Sequence, residues 1–220
     1  MFLEIGLILG AFPAAIAFSV YRVIGKMELS PGAKPAPESA PRIIAALDPG
    51  VAAFIAPKGF QFVEAFRFHA LLIGQWVQTT DPLLRRLSVS ISPAGTNYEF
   101  ITRFSDKTSL TTTKTRAAFM FPRPFGSFLQ SFPNASVDQL WDLHLRGEQY
   151  LIADLSLPLQ PSGVPYVEAF GPAILRQIAC IKSFPFWPLR GIYWFLLKRF
   201  LMLKRPIWTQ DVSKLYKKMA

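Results

Sequence analysis

Seventeen consecutive residues without a charge, Ile5 to Tyr21, constrain this chain more than any other feature. As an α-helix such a run rises about 26 Å, and continuing past Arg22 to Ile24 brings it close to the ~30 Å hydrocarbon thickness of a bilayer. Arg22 is long enough to snorkel to the interface. The expectation is a transmembrane anchor over residues 1–28. A cleaved signal peptide is the first rival, because Ala15-Ile16-Ala17 looks like a signal-peptidase site; however, Glu4 is the only charged side chain before the apolar run, where such a signal wants basic ones. A buried core helix is the second, and it sits poorly with a run that is apolar on every face. Arg22 and Lys26 follow the run and no basic residue precedes it, so the positive-inside bias puts the remaining chain in the cytoplasm. Gly6, Gly10 and Ala14 recur at four-residue spacing and form a small-residue stripe where another transmembrane helix could pack; Gly and Ala are also simply common in such helices. Pro13 is placed to bend the helix.

Residues 29–41, LSPGAKPAPESAP, hold four prolines. They prevent a helix and favour an extended linker between anchor and body. Residues 42–182 read as the body. The first part, 42–57, allows a short helix interrupted at Pro49-Gly50. From Gly59 the hydrophobic period becomes two. Phe60, Phe62, Phe66 and Phe68 share one parity, with Glu64 as the exception among them. Ile73–Thr79 is a second candidate strand. Leu87, Val89 and Ile91 alternate with Arg86, Ser88 and Ser90 in a third. Pro93-Ala94-Gly95-Thr96 is turn chemistry. Tyr98, Phe100 and Phe104 mark a fourth strand, and Thr108–Arg116 returns after a short turn at Ser105-Asp106-Lys107. Connections this short require antiparallel pairing. Ser136 and Gln139 form a capping-box start, and Val137, Leu140, Trp141, His144, Glu148 and Leu151 then fall on one stripe of a helix. The predicted fold is α+β: a β-meander of four or five strands with one apolar face, covered on that face by helices, and basic amphipathic helices at the C-terminal end. Phe62, Phe66, Phe100 and Phe104 are expected in one core with Leu140 and Trp141.

The segment Tyr98-Glu99-Phe100-Ile101-Thr102-Arg103-Phe104-Ser105-Asp106, followed by Leu110-Thr111-Thr112-Thr113, resembles a pattern in a family of uncharacterised bacterial membrane-anchored proteins. There an aromatic-acid-Phe-x-Thr strand turns at Asp-Gly, returns through Leu-x-Thr-Thr and precedes a helix with a His. Lys107 replaces the family's frequent Gly, and Lys114 its frequent Asn. The resemblance covers roughly residues 58–152. It implies an architecture and a membrane anchor, and no activity.

Chemistry-bearing motifs are few. No phosphate-binding glycine loop, dinucleotide fingerprint, zinc-protease helix or nucleophile elbow is present. One Cys and two His make a structural zinc site untenable, and no cofactor is indicated. His144 and Glu148, four apart on the apolar stripe, could meet as a catalytic acid–base pair; the simpler reading is an interfacial His capped by Glu. The threonines of 108–115, with Lys114 and Arg116, suggest either a polar ligand surface or a half-exposed strand.

Charge is concentrated at the other end: residues 182–220 hold nine basic side chains against Asp211 alone, within a chain of net charge +10. In the tail, residues 183–220, a helical projection of Leu189 to Arg205 puts Arg190, Lys198, Lys204 and Arg205 in one arc, as a surface binding anionic lipid, with Phe195, Leu196 and Phe200 on the apolar side. A helix lying in the membrane interface is expected; packing on the body is the rival, and nucleic acid is disfavoured by the continuous apolar run 191–197. The function expected is a membrane-anchored accessory or interaction module at the cytoplasmic membrane surface. The alternative is a membrane-associated enzyme acting on a lipid or amphiphilic substrate near His144.

Overall fold

The computed structural model describes residues 2–79, 85–104, 108–155 and 165–210, with side chains from Ala14 onward. The turn expected at 105–107 and the basic residues beyond 210 lie outside the described residues, as do the side chains of residues 1–13 and Arg199.

The chain is α+β. A helix, α1 (Phe2–Leu29), leads into a seven-stranded sheet in sequential order: β1 (Lys34–Pro35), β2 (Phe60–Phe68), β3 (Leu71–Gln78), β4 (Arg86–Ser92), β5 (Gly95–Arg103), β6 (Ser109–Thr113) and β7 (Ser127–Ser131). Helices α2 (Ala40–Ala45) and α3 (Pro49–Ile55) intervene before β2. After the sheet come α4 (Val137–Leu155), α5 (Tyr166–Lys182), α6 (Trp187–Tyr193), a π-helical segment (Trp194–Lys198) and the short α7 (Arg199–Met202). Among the described residues no helix is long and apolar enough to cross a membrane.

Strands β1 to β6 pair antiparallel, as the short connections require. At the expected Pro93-Ala94 turn, Ser92 Oγ accepts from Ala94 N (3.1 Å) and donates to Gly95 O (3.1 Å). The last pair departs from the meander: β7 runs parallel to β6, and residues 114–126 make the crossover. The proline-rich stretch is not a free strut. Lys34 and Pro35 pair with Arg67 and Phe66, Ala36 N donates to Ala65 O at 2.9 Å, and Ala36 is 2 % exposed. Proline suits this place because an edge strand tolerates the missing N–H.

The expectation that Phe60, Phe62, Phe66 and Phe68 share one face fails, and the reason is local. The β2–β3 register shifts between Phe62 and Glu64, so Val63 is an extra residue on the β2 side. A bulge reverses the parity of everything after it. Phe60 and Phe62 therefore face one side with Trp76, Leu87 and Phe100, against Ile43 of α2, Phe54 of α3 and Leu140 and Trp141 of α4. Phe66 and Phe68 face the other side with Ile73, against Val167 and Phe170 of α5. Phe104 belongs to a third cluster with Leu110, Phe128, Leu151 and Ile207. Helices thus cover both faces of the sheet, not one.

The α4 start is as read: Gln139 N donates to Ser136 Oγ (3.2 Å) and Ser136 N to Gln139 Oε1 (3.0 Å). Gly147 in the middle of this helix costs about 1 kcal/mol in propensity. Its reason is close approach, since a Cβ there would lie 2.9 Å from Gln130 Nε2 and 3.1 Å from Ile207 Cγ2.

The C-terminal helices pack on α1 and α5. Val20 and Ile24 of α1 are buried with Ile178, Ile181 and Trp194, and Tyr21 stacks on Trp187 with centroids 5.9 Å apart. Gly191 permits the contact, because a Cβ there would come within 2.9 Å of Val20. Beyond α7 the chain docks on the sheet edge: Lys204 N donates to Ser131 O at 2.8 Å, and Ile207 is fully buried. Residues 183–210 are therefore integral to the packed structure.

Candidate functional site

His144 and Glu148 are brought together on the α4 side of the sheet, 0 % and 2 % exposed. The register places Thr102 of β5 and Thr112 of β6 beneath them. Glu148 is held by Arg85, whose Nη2 lies 2.7 Å from Oε1 and whose Nε lies 2.9 Å from Oε2. The Thr102 hydroxyl donates to Glu148 Oε2 at 2.7 Å. Its single proton is thus committed, so His144 Nε2, 2.9 Å away, donates to it. His144 Nδ1 is then the acceptor for the Thr112 hydroxyl at 2.8 Å. Gln130 Nε2 donates to Thr112 Oγ1 (2.8 Å) and to Leu143 O (2.8 Å), and Gln130 Oε1 accepts from Ile207 N (3.0 Å). Every link has one donor and one acceptor. Burial, reinforced by the Arg85 charge, holds the imidazole pKa down to about 3. His144 is therefore a neutral side chain sealed between Phe100, Trp141 and the sheet. Glu148 touches it only through Thr102. This arrangement binds α4 to β5, β6 and β7, with both side chains closed to solvent.

The opposite face carries a different polar arrangement. The pairings put Glu64, Gln75, Ser88, Glu99, Thr113 and Ser131 opposite one another from β2 to β7, a single polar row across six strands. Arg86 and Arg103 flank it on the same face. Tyr166, the first residue of α5, sits over both guanidiniums: Arg103 Cζ is 5.1 Å and Arg86 Cζ 5.7 Å from its ring centre. Glu64 Oε1 accepts from Tyr166 N (3.0 Å) and lies 3.6 Å from Arg86 Nη1. Arg123, from the β6–β7 crossover, acts on Glu99 electrostatically.

The electrostatics of this side are dominated by desolvation. Burial pushes the Glu99 carboxyl up against the opposing pull of Arg123. It pushes the Tyr166 phenol up, with the charge of Glu99 adding to the effect. It lowers Arg103, Arg123 and Arg86. Yet Glu64, Glu99, Arg103, Arg123 and Tyr166 are all only half-buried, so water still reaches them.

Satisfaction is incomplete here. Gln75 is fully buried; its Nε2 donates to Ser88 Oγ at 2.7 Å, and its Oε1 has no partner. Among the described residues neither Arg103 nor Arg123 hydrogen-bonds a carboxylate; Arg123 Nη2 donates to Ala118 O at 3.3 Å. Sequence reading missed these groups because the bulge hid their common face. Glu64, out of place among the phenylalanines, was the one visible signal.

The tail residues separate. Arg190, Lys204 and Arg205 are exposed, with Arg190 Cζ 5.6 Å from the Phe184 ring centre. Lys198 is half-buried, and desolvation lowers its pKa. The projection at 100° per residue fails at Trp194–Lys198, where the backbone winds as a π-helix and the phase slips. Trp194, the first residue of that segment, is 3 % exposed. Of the small-residue stripe, Ala14 is exposed, and Gly6 and Gly10 precede the first described side chain.

Two surface hollows, of about 470 Å³ beside Phe132, Leu143 and Lys204 and about 230 Å³ beside Asp48, Val89 and Tyr98, bring no cluster of reactive groups together. Among the described residues no group of three or more His, Cys, Asp and Glu could hold a metal ion. No protein-family model, curated protein or solved structure matches this chain.

Proposed function

We propose that the protein is a membrane-anchored accessory or interaction module, held at the cytoplasmic surface by α1 and by the outer side of its C-terminal helices. One observation carries this reading. The helices that pack inward through Val20, Ile24, Ile178 and Trp194 leave large apolar side chains on the outside: Phe18, Tyr21, Leu189, Tyr193, Leu197, Phe200 and Leu201 are each at least half exposed. The Tyr21–Trp187 stack makes the α1 and α6 parts of this surface adjoin. A contiguous apolar surface of this kind needs a cover, and exposed Arg22, Lys26, Arg190 and Arg205 beside it suit anionic headgroups. The enzyme alternative at His144 loses its support, because that pair is sealed and fully hydrogen-bonded.

The test is depth measurement on the full chain in bilayers. A nitroxide at Leu197→Cys, in a Cys180→Ala background, is expected to relax with oxygen and to be shielded from an aqueous nickel chelate. A label as open to the chelate as one at exposed Glu38 would refute the surface placement.

A further inference from the structure

Phe186 is out of place for a side chain that meets only water. It stands at the corner between α5 and α6 with φ 54° and ψ 36°, the left-handed region that a bulky residue enters at a cost. Packing returns none of that cost, because the side chain is 80 % exposed, the most exposed aromatic among the described residues. Yet the corner is built to hold it there. Pro185 and Pro188 fix φ on either side of it. Phe184 turns the other way, into the cluster of Val20, Ile24 and Trp194, with its ring edge-on to Trp194 at 5.6 Å. The Phe186 carbonyl accepts from Leu189 N (3.0 Å) and Arg190 N (3.1 Å), which ties the corner to α6. Glycine would make the same turn without strain. A strained, outward-pointing phenylalanine therefore serves something outside the fold.

We infer that Phe186 is a rigid wedge seated among the lipid chains just below the headgroups. The inference rests on the membrane reading above and names the part of that surface that enters the bilayer. Position identifies the occupant. The uncharged run of α1 ends at Tyr21, and Arg22 follows it. Tyr21 stacks on Trp187, the residue next to Phe186, with ring centres 5.9 Å apart. The corner thus lies where α1 passes from apolar to charged sequence, and bilayers hold Trp and Tyr rings at that level. Leu189 is exposed beside it, and exposed Arg190 follows, suited to a headgroup phosphate. Because the prolines and the two hydrogen bonds fix the corner in advance, insertion sacrifices little conformational freedom.

Spin labelling of the full chain, reconstituted in bilayers of dioleoyl phosphatidylcholine and dioleoyl phosphatidylglycerol, tests this. A nitroxide at Phe186→Cys, in the Cys180→Ala background, should relax with oxygen, be shielded from the nickel chelate and lie about 5–10 Å below the headgroups. A label open to the chelate overturns the wedge. A label shielded from both oxygen and chelate also overturns it, since a protein contact would then cover the corner. The label at Leu197→Cys separates the two readings: if it is shielded while the one at 186 is open, the wedge alone fails, and if both are open the membrane placement fails with it. A second variant reads the role of the ring. Phe186→Gly relieves the backbone, so the helical circular dichroism should be unchanged, while a label at Leu189→Cys should shift toward the chelate. An unmoved label there would show that the corner is seated without Phe186, and would overturn the inference.

Discussion

The Arg103 guanidinium lies 5.1 Å from the centre of the Tyr166 ring, on the face of the sheet turned away from His144. A cation over an aromatic face gains about 0.5–1 kcal/mol when exposed and about 2 when desolvated. That gain offsets part of the cost of partly desolvating a guanidinium that hydrogen-bonds no carboxylate among the described residues. In the free protein Arg103→Met should therefore leave stability within about 1 kcal/mol of the original, or raise it. Denaturant unfolding measures this, and a larger loss would make Arg103 a structural residue.

The neutral His144 predicts a pH dependence with a definite sign. Its folded-state pKa, about 3, lies below the ordinary value of 6.5. Above pH 6.5 neither state binds the proton. Below it the unfolded chain does and the native one does not, so His144 contributes a loss of stability as pH falls toward 3, at about 1.4 kcal/mol per pH unit. Urea unfolding at pH 7 and pH 5 should show the drop. His144→Gln should flatten that part of the profile; an unchanged slope would mean that His144 is protonated in the native state.

Thr102 joins His144 to Glu148 by giving its proton to one and accepting from the other. Thr102→Val keeps the shape and leaves a buried imidazole N–H and a carboxylate oxygen short of a partner. A cost of about 2–4 kcal/mol is expected from two unsatisfied groups. Thr111→Val, on the other face of the neighbouring strand, is the control and should cost under about 1 kcal/mol. Equal effects in the two variants would refute the network.

The bulge at Val63 predicts which phenylalanines are energetically coupled. Phe54 and Phe100 are in contact, with ring centres 5.5 Å apart, whereas Phe66 lies across the sheet from Phe100. Phe→Leu changes at 54 and 100 should couple by at least about 0.5 kcal/mol in a double-mutant cycle. Changes at 66 and 100 should add within about 0.3–0.5 kcal/mol. Strong coupling of Phe66 to Phe100 would restore the single-core arrangement.

Gly191 seats Val20 of α1 on α6. Gly191→Ala forces displacement, with an expected cost of about 1–3 kcal/mol. Adding Val20→Ala should recover part of it by vacating the space. Hydrogen exchange along residues 16–27 reads the effect locally, and unchanged protection there would show that the two helices do not depend on this contact.

Some of this architecture follows from the chain alone. Alternation along Leu87–Ile91 and Tyr98–Phe100, with Pro93-Ala94 between, determines an antiparallel hairpin, because a two-residue connection allows nothing else. Ser136 and Gln139 determine where α4 begins, since both capping partners lie within one turn. The uncharged run and the basic tail determine where grease and charge are concentrated. Tertiary structure decided the rest. One unpaired residue, Val63, moves Phe66 and Phe68 to the far face and brings Glu64 into line with Gln75, Ser88 and Glu99; parity in a strand is a count, and a bulge resets the count without a marked change in composition. The π-helical turn at Trp194–Lys198 does the same to the tail, burying Trp194 and leaving Lys198 half-buried. His144 and Glu148 were legible as one stripe of α4. That they are sealed was decided by Thr102, Thr112 and Gln130 on three different strands, and Arg86, Arg103 and Tyr166 likewise converge from β4, β5 and α5. Such sites depend on separations of tens of residues along the chain, where no local period or spacing carries the information.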